Sequence, residues 1–156
     1  MILPHEKAKW LSPEKQKWIE TLLYLWGAWE FSGLDDRRKV NMIYKFMKSV
    51  EAEQLSKREQ CCDEFGLLMN CVIHVVTKGK IHIKKYIEAK YVFGISERKI
   101  AISMRNQDES KRGLRHWQDL VQRDLRETEK LIADLITKSI QSRRRANYLK
   151  KYSFKC

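Results

Sequence analysis

Apolar residues return every three or four positions through most of this chain, the spacing of a helix with one buried face. Trp18, Ile19, Leu22, Leu23, Trp26 and Trp29 make the first such stripe. Ser12-Pro13-Glu14 ahead of it offers a capping hydroxyl, a proline at the first helical position and an early acid. The pattern predicts a helix from Pro13 that Gly33 interrupts. Asp35-Asp36 then caps a second helix, with Val40, Ile43, Tyr44 and Met47 along one side, that fades near Glu53. A polar stretch, Gln54 to Gln60, leads to Cys61-Cys62-Asp63-Glu64 and a third stripe of Leu67, Leu68, Cys71, Val72, Val75 and Val76, closed by Lys78-Gly79-Lys80.

Ile83, Ile87 and Tyr91 lie four apart on a helix that should stop at Gly94, where a residue without Cβ takes the left-handed conformation. Ser96 can cap a short helix from Glu97 to about Met104 that buries Ile100, Ala101 and Met104, with Ala101 small enough for another helix to cross closely. The polar turn from Arg105 to Ser110 precedes Leu114, Trp117, Val121 and Leu125, one side of a further helix. Two short elements and a crossing helix make a helix-turn-helix. The face opposite Leu114 and Trp117 carries Arg112, Arg115, His116, Asp119 and Arg123. Starting that helix near Ser110 accounts for the whole basic face. Starting it near Trp117 would discard Arg112, Arg115 and His116. Leu131, Ile132, Leu135, Ile136 and Ile140 continue the period, so the same helix runs on toward the C-terminus.

Six Gly and two Pro among 156 residues leave little for tight turns, so an all-α fold is expected: a compact helical domain with a helix-turn-helix, a long C-terminal helix and a basic tail. We divide it into an N-terminal helical body (1–80), a helix-turn-helix region (81–136) and the tail (137–156). Lys and Arg number 32 against 20 Asp and Glu, a net charge of +12. Such an excess repels itself unless a polyanion is near, and nucleic acid is the commonest one for a basic protein. From Leu135 to Cys156 there are seven basic residues and no acid, with Tyr148, Tyr152 and Phe154 among them, a mixture that suits charge pairing and stacking with nucleic acid as well as it suits a solvated tail.

Other classes fit less well. No apolar run approaches the roughly 18 residues of a membrane span, and the N-terminus lacks a signal-peptide pattern, so a cytosolic location and reduced thiols are expected. Cys61, Cys62, Cys71 and His74 could gather, but adjacent cysteines point apart and lack the C-x-x-C spacing of structural zinc; buried small hydrophobes are the expected reading, with no metal or cofactor. No Gly-rich phosphate loop, H-E-x-x-H or nucleophile elbow is present. Asp35-Asp36 and Asp63-Glu64 fit as helix N-terminal acids better than as a nuclease pair, and the chain is expected not to be an enzyme.

Three blocks carry a resemblance: Trp26-Gly27-Ala28-Trp29, then Gln60-Cys61-Cys62-Asp63-Glu64-Phe65-Gly66-Leu67, then Tyr91-Val92-Phe93-Gly94-Ile95-Ser96-Glu97-Arg98-Lys99-Ile100-Ala101. In order and spacing they resemble the small Q antitermination proteins of lambdoid phages, of the phage 21 type. The third block is also similar to the helix-turn-helix of sigma factor region 4. The resemblance implies a factor of the host bacterial cytoplasm that binds double-stranded DNA overlapping a late promoter, loads onto paused RNA polymerase still holding sigma, and narrows and extends the RNA exit channel so that terminator hairpins cannot form. Nascent RNA and a second copy of the chain are further partners in this picture. Carried over by position, Ser96 to Met104 is the supporting helix and the segment from Ser110 the recognition helix, with Arg98, Lys99, Ser110, Lys111, Arg112, Arg115, His116 and Arg123 as the expected DNA-binding residues. A repressor or sigma-like activator with the same motif, acting only at initiation, is the alternative.

Overall fold

The structure, a computed structural model, describes residues 10–36 and 58–143, with side chains over 10–33 and 58–139. Among these residues there are five α-helices and one π-helical turn, and no strand: α1 (Pro13–Asp36), α2 (Asp63–Thr77), α3 (Ile81–Ile87), the π-turn (Glu88–Val92), α4 (Glu97–Gln107) and α5 (Leu114–Arg143). No helix of the described residues is long and apolar enough to cross a membrane.

Helix α1 begins as its sequence dictates. Ser12 accepts the Lys15 amide on its hydroxyl and the Gln16 amide on its carbonyl, at 3.4 and 2.8 Å. It does not stop at Gly33, as expected, but continues to Asp36, the last described residue of this stretch. A glycine weakens a helix by only about 1 kcal/mol, and the tertiary contacts of this long helix outweigh that. The expected second helix over Val40, Ile43, Tyr44 and Met47 lies outside the described residues; of the tail, residues 137–143 continue α5 and the rest lies outside them.

One core runs from Ile19 to Ile136, shared by the N-terminal body and the helix-turn-helix region. Its tightest seam lies between α1 and the π-turn. A Cβ on Gly27 would sit 1.8 Å from the Tyr91 carbonyl oxygen, so only glycine lets the two backbones touch. The π-turn buries Lys90, Tyr91 and Val92 in succession, which a regular α-helix with one inward face does not do. Its widened ladder leaves carbonyls over, and Arg58 caps two of them, donating to Tyr91 O at 2.9 Å and Val92 O at 2.6 Å. Gly94, at φ 66°, then ends the element as anticipated.

The second seam joins α1 to α2. The Trp29 indole packs on Gly66, where a Cβ would meet the ring at 2.3 Å, and its Nε1 donates to Asp63 at 2.8 Å. Trp26 Nε1 donates to Asn70 at 2.8 Å. Cys61 is buried in the core, and Cys71 is exposed on the outer side of α2. These two thiols are free.

Candidate nucleic-acid interface

Residues 96–123 form the expected helix-turn-helix, with two shifts. Ser96 caps α4 through its hydroxyl, which accepts the Lys99 amide at 3.3 Å. Helix α4 buries Ile100 and Ala101 and half-buries Met104; Ala101 is fully enclosed where α5 packs across it. The helix ends at Gln107 rather than Met104, which places Arg105 on its last turn, exposed.

The recognition helix begins at Leu114, one turn later than the expected start near Ser110 and a turn before the alternative near Trp117. Asp108 is the reason. Its Oδ1 accepts the Ser110 amide and hydroxyl at 3.0 and 2.6 Å, and its Oδ2 accepts Arg112 Nε at 3.1 Å and Trp117 Nε1 at 3.0 Å. This short-range bonding satisfies the backbone outside a helix, as aspartate does when it competes with helical hydrogen bonds. Lys111 has φ 56°, the one non-glycine residue with positive φ among those described, and such a residue cannot continue a right-handed helix. Donation from Ser110, then Arg112 and Trp117, holds the Asp108 carboxyl well below the usual carboxylate range.

The expected DNA-binding residues therefore divide. Arg98 and Lys99 are exposed on the first turn of α4, and Arg115 and His116 on the first turn of α5. Lys111 is exposed at the tip of the turn. Ser110 and Arg112 also reach solvent but have structural duties: the Ser110 hydroxyl links Asp108 to Arg112 Nε at 2.8 Å, and the Arg112 guanidinium lies 4.9 Å from the Trp117 ring centre and 3.1 Å from His116 Nε2. Arg123 is half-buried two turns further on.

Behind this surface is a charged cluster that periodicity did not reveal. Glu129 is fully buried on α5 and accepts from Lys90 Nζ at 3.2 Å, Tyr91 Oη at 2.5 Å, Arg126 Nη1 at 2.9 Å and Gln16 Nε2. Glu97, on the first turn of α4, pairs with Lys90 at 2.9 Å and Arg126 at 3.0 Å. Burial alone would lower the Lys90 pKa, but the Glu129 and Glu97 carboxylates more than offset it and the net shift is upward. The same balance raises Arg126. The cluster ties α1, the π-turn and both helices of the motif together. Its signal in the sequence was a pair of opposite charges, Lys90 and Glu129, at positions in phase with the buried stripes.

Among the described residues no group of three His, Cys, Asp or Glu side chains converges as a metal site would require. The geometry defines the class: an all-helical protein whose helix-turn-helix presents a cationic corner to solvent and is braced by buried charge. The model of the phage antitermination protein Q family matches residues 16–133, and the chain belongs to that family. No curated protein sequence matches it. Among solved structures it is similar to transcription antitermination factor Q21, at 26% identity with a TM-score of 0.69 over 89% of this chain and 98% of that one. It is also similar to the bacteriophage 21 Q protein, at 24% identity and a TM-score of 0.67 over 86% and 98% of the two chains. The same fold is shared, at 23% identity and a TM-score of 0.65 over 87% and 98%, by transcription antitermination factor Q21 in complex with Q21-binding-element DNA.

Proposed function

We propose that this chain is a Q-type antitermination factor that reads a duplex DNA element with the first turn of α5 and the turn before it. The observation that carries this reading is the exposed cationic corner of the helix-turn-helix, where Arg115 and His116 stand at the N-terminal end of the recognition helix and Arg98, Lys99 and Lys111 flank it. In this motif the N-terminal residues of the second helix meet base edges, and arginine bonds bidentately to guanine while neighbouring cations hold phosphate. The structure of similar fold in complex with Q21-binding-element DNA supports duplex DNA as the ligand. Membership of the antitermination family supports the rest of the reading: the DNA-bound protein transfers to bacterial RNA polymerase that is paused nearby and retains sigma, stays with it, and narrows and extends the RNA exit channel. A hairpin cannot fold inside that channel, and the polymerase passes the terminator. This chemistry is binding alone, with no bond made or broken by the protein.

In vitro transcription tests the reading, on a template with the phage's own late promoter ahead of an intrinsic terminator, beside a template with a foreign promoter. Readthrough should appear on the native template only. Unchanged termination with altered initiation would reassign the protein as a repressor or sigma-like activator using the same motif.

A further inference from the structure

A second group of cations lies outside the helix-turn-helix. Lys78, Lys80, His82, Lys84 and Lys85 crowd the corner where α2 ends and α3 begins, all five side chains are exposed, and no acid interrupts residues 78–85. Among the described residues none of the four lysines is held in an ion pair. Like charges repel, and among the described residues no salt bridge holds these lysines together, Asp124 being the acid whose charge interacts with Lys80 and His82.

The corner adjoins the recognition helix. Helix α3 packs against α5, and Asp124 on α5 feels the charges of Arg123, His82, Glu127 and Lys80. Arg123 lies eight residues beyond Arg115, about 12 Å along the helix axis. The major groove of B-DNA is about 12 Å wide, with phosphates along both edges. With the first turn of α5 at the bases as proposed above, a corner that flanks the helix about 12 Å further along is on the scale of the distance to neighbouring backbone phosphates. Lysine is a compact point charge on a flexible stem, suited to phosphate and carrying no base information.

We infer that the Lys78–Lys85 corner is a second DNA-binding surface, which holds backbone phosphates flanking the element read by the first turn of α5. The inference rests on the DNA reading proposed above, and its test separates the two. The full chain selects duplexes from a randomised DNA library. Affinity for a selected duplex and for a scrambled one is then followed by fluorescence anisotropy over a range of KCl, for the wild type, for Lys80→Gln/Lys84→Gln/Lys85→Gln and for Arg115→Ala. The triple variant should weaken both duplexes by the same factor and flatten log K against log salt by about 0.9 for each phosphate that the lysines no longer neutralise. Arg115→Ala should instead collapse the preference for the selected duplex. An unchanged salt slope in the triple variant, with preference still abolished in Arg115→Ala, overturns the lysine corner and leaves the helix-turn-helix intact. Failure of the wild type to select any duplex overturns both, and a slope change confined to a single-stranded RNA probe overturns the corner as a DNA surface.

Discussion

Truncating Glu129 to alanine tests whether the buried cluster braces the motif. The carboxylate is fully buried and accepts from Gln16, Lys90, Tyr91 and Arg126. Its removal strands the Tyr91 hydroxyl in the core and withdraws the innermost counterion from two cations whose side chains are 9% and 16% exposed. Breaking a buried pair by deleting one partner costs about 3–5 kcal/mol. The lower end is expected, since Lys90 and Arg126 both keep Glu97. An unfolding entropy of about 2.1 cal/mol/K per residue gives about 0.33 kcal/mol/K for a chain of 156 residues, so the melting temperature should drop by about 9 °C. Differential scanning calorimetry of Glu129→Ala reads this directly. Glu127→Ala, at an exposed position two residues earlier, serves as control and should stay within about 0.5 kcal/mol of wild type. A drop of less than about 3 °C, roughly 1 kcal/mol, would mean that the cations find water or other partners and that the cluster does not brace the fold.

Three further perturbations follow from particular interactions. Gly27→Ala drives a Cβ into the Tyr91 carbonyl and should cost at least the upper end of the about 1–3 kcal/mol typical of overpacking, seen as a lower urea midpoint; an unchanged midpoint would show that the seam yields. Arg115→Ala should remove about 1–3 kcal/mol of discrimination between selected and scrambled duplexes at an unchanged melting temperature, whereas Arg112→Ala should lower both binding and melting, because Arg112 bonds Asp108 and stacks on Trp117. In alkali, Lys90 stays charged because Glu129 and Glu97 outweigh its burial, and Tyr91 stays neutral because it is buried and faces Glu129, beyond the ordinary values of 10.5 and 10.0 at which the unfolded chain releases these protons. Groups with raised folded pKa values stabilise fully below the unfolded value and less as pH rises through the folded one, so the urea midpoint should fall between about pH 9 and 11; a flat profile would refute the assignment.

Periodicity is enough to locate α2, the start of α1, the Ser96 cap and the inward faces of α4 and α5, because each depends on residues within a turn or two of one another. Long-range packing decides the rest. Gly33 reads as a stop, but the helix passes through it. The start of α5 departs from expectation because Asp108 competes with the helix for the Ser110 and Arg112 backbone, a competition visible only when Trp117 Nε1 is seen to join it. Glu129 sits four residues after Leu125 and three before Ile132, in phase with the core, so its burial was legible. Its partners were not, since Lys90 comes from an element 39 residues away that is wound as a π-turn.

The same distinction bears on what family membership transfers. Of the blocks that carry the resemblance, Gly27 receives the backbone of Tyr91 and Val92, Trp29 covers Gly66 and bonds Asp63, and Ala101 admits α5. These residues meet one another, and their steric and hydrogen-bonding demands fix the angle at which α5 is presented. Arg115 and His116, which the proposed reading sets at the base edges, belong to none of the blocks. On the proposed reading, presentation of the recognition helix and choice of DNA sequence are thus set by different residues. Two chains with identical blocks would hold α5 in the same groove while reading different elements, so the element for this chain has to be sought through residues 108–123 rather than borrowed from a relative.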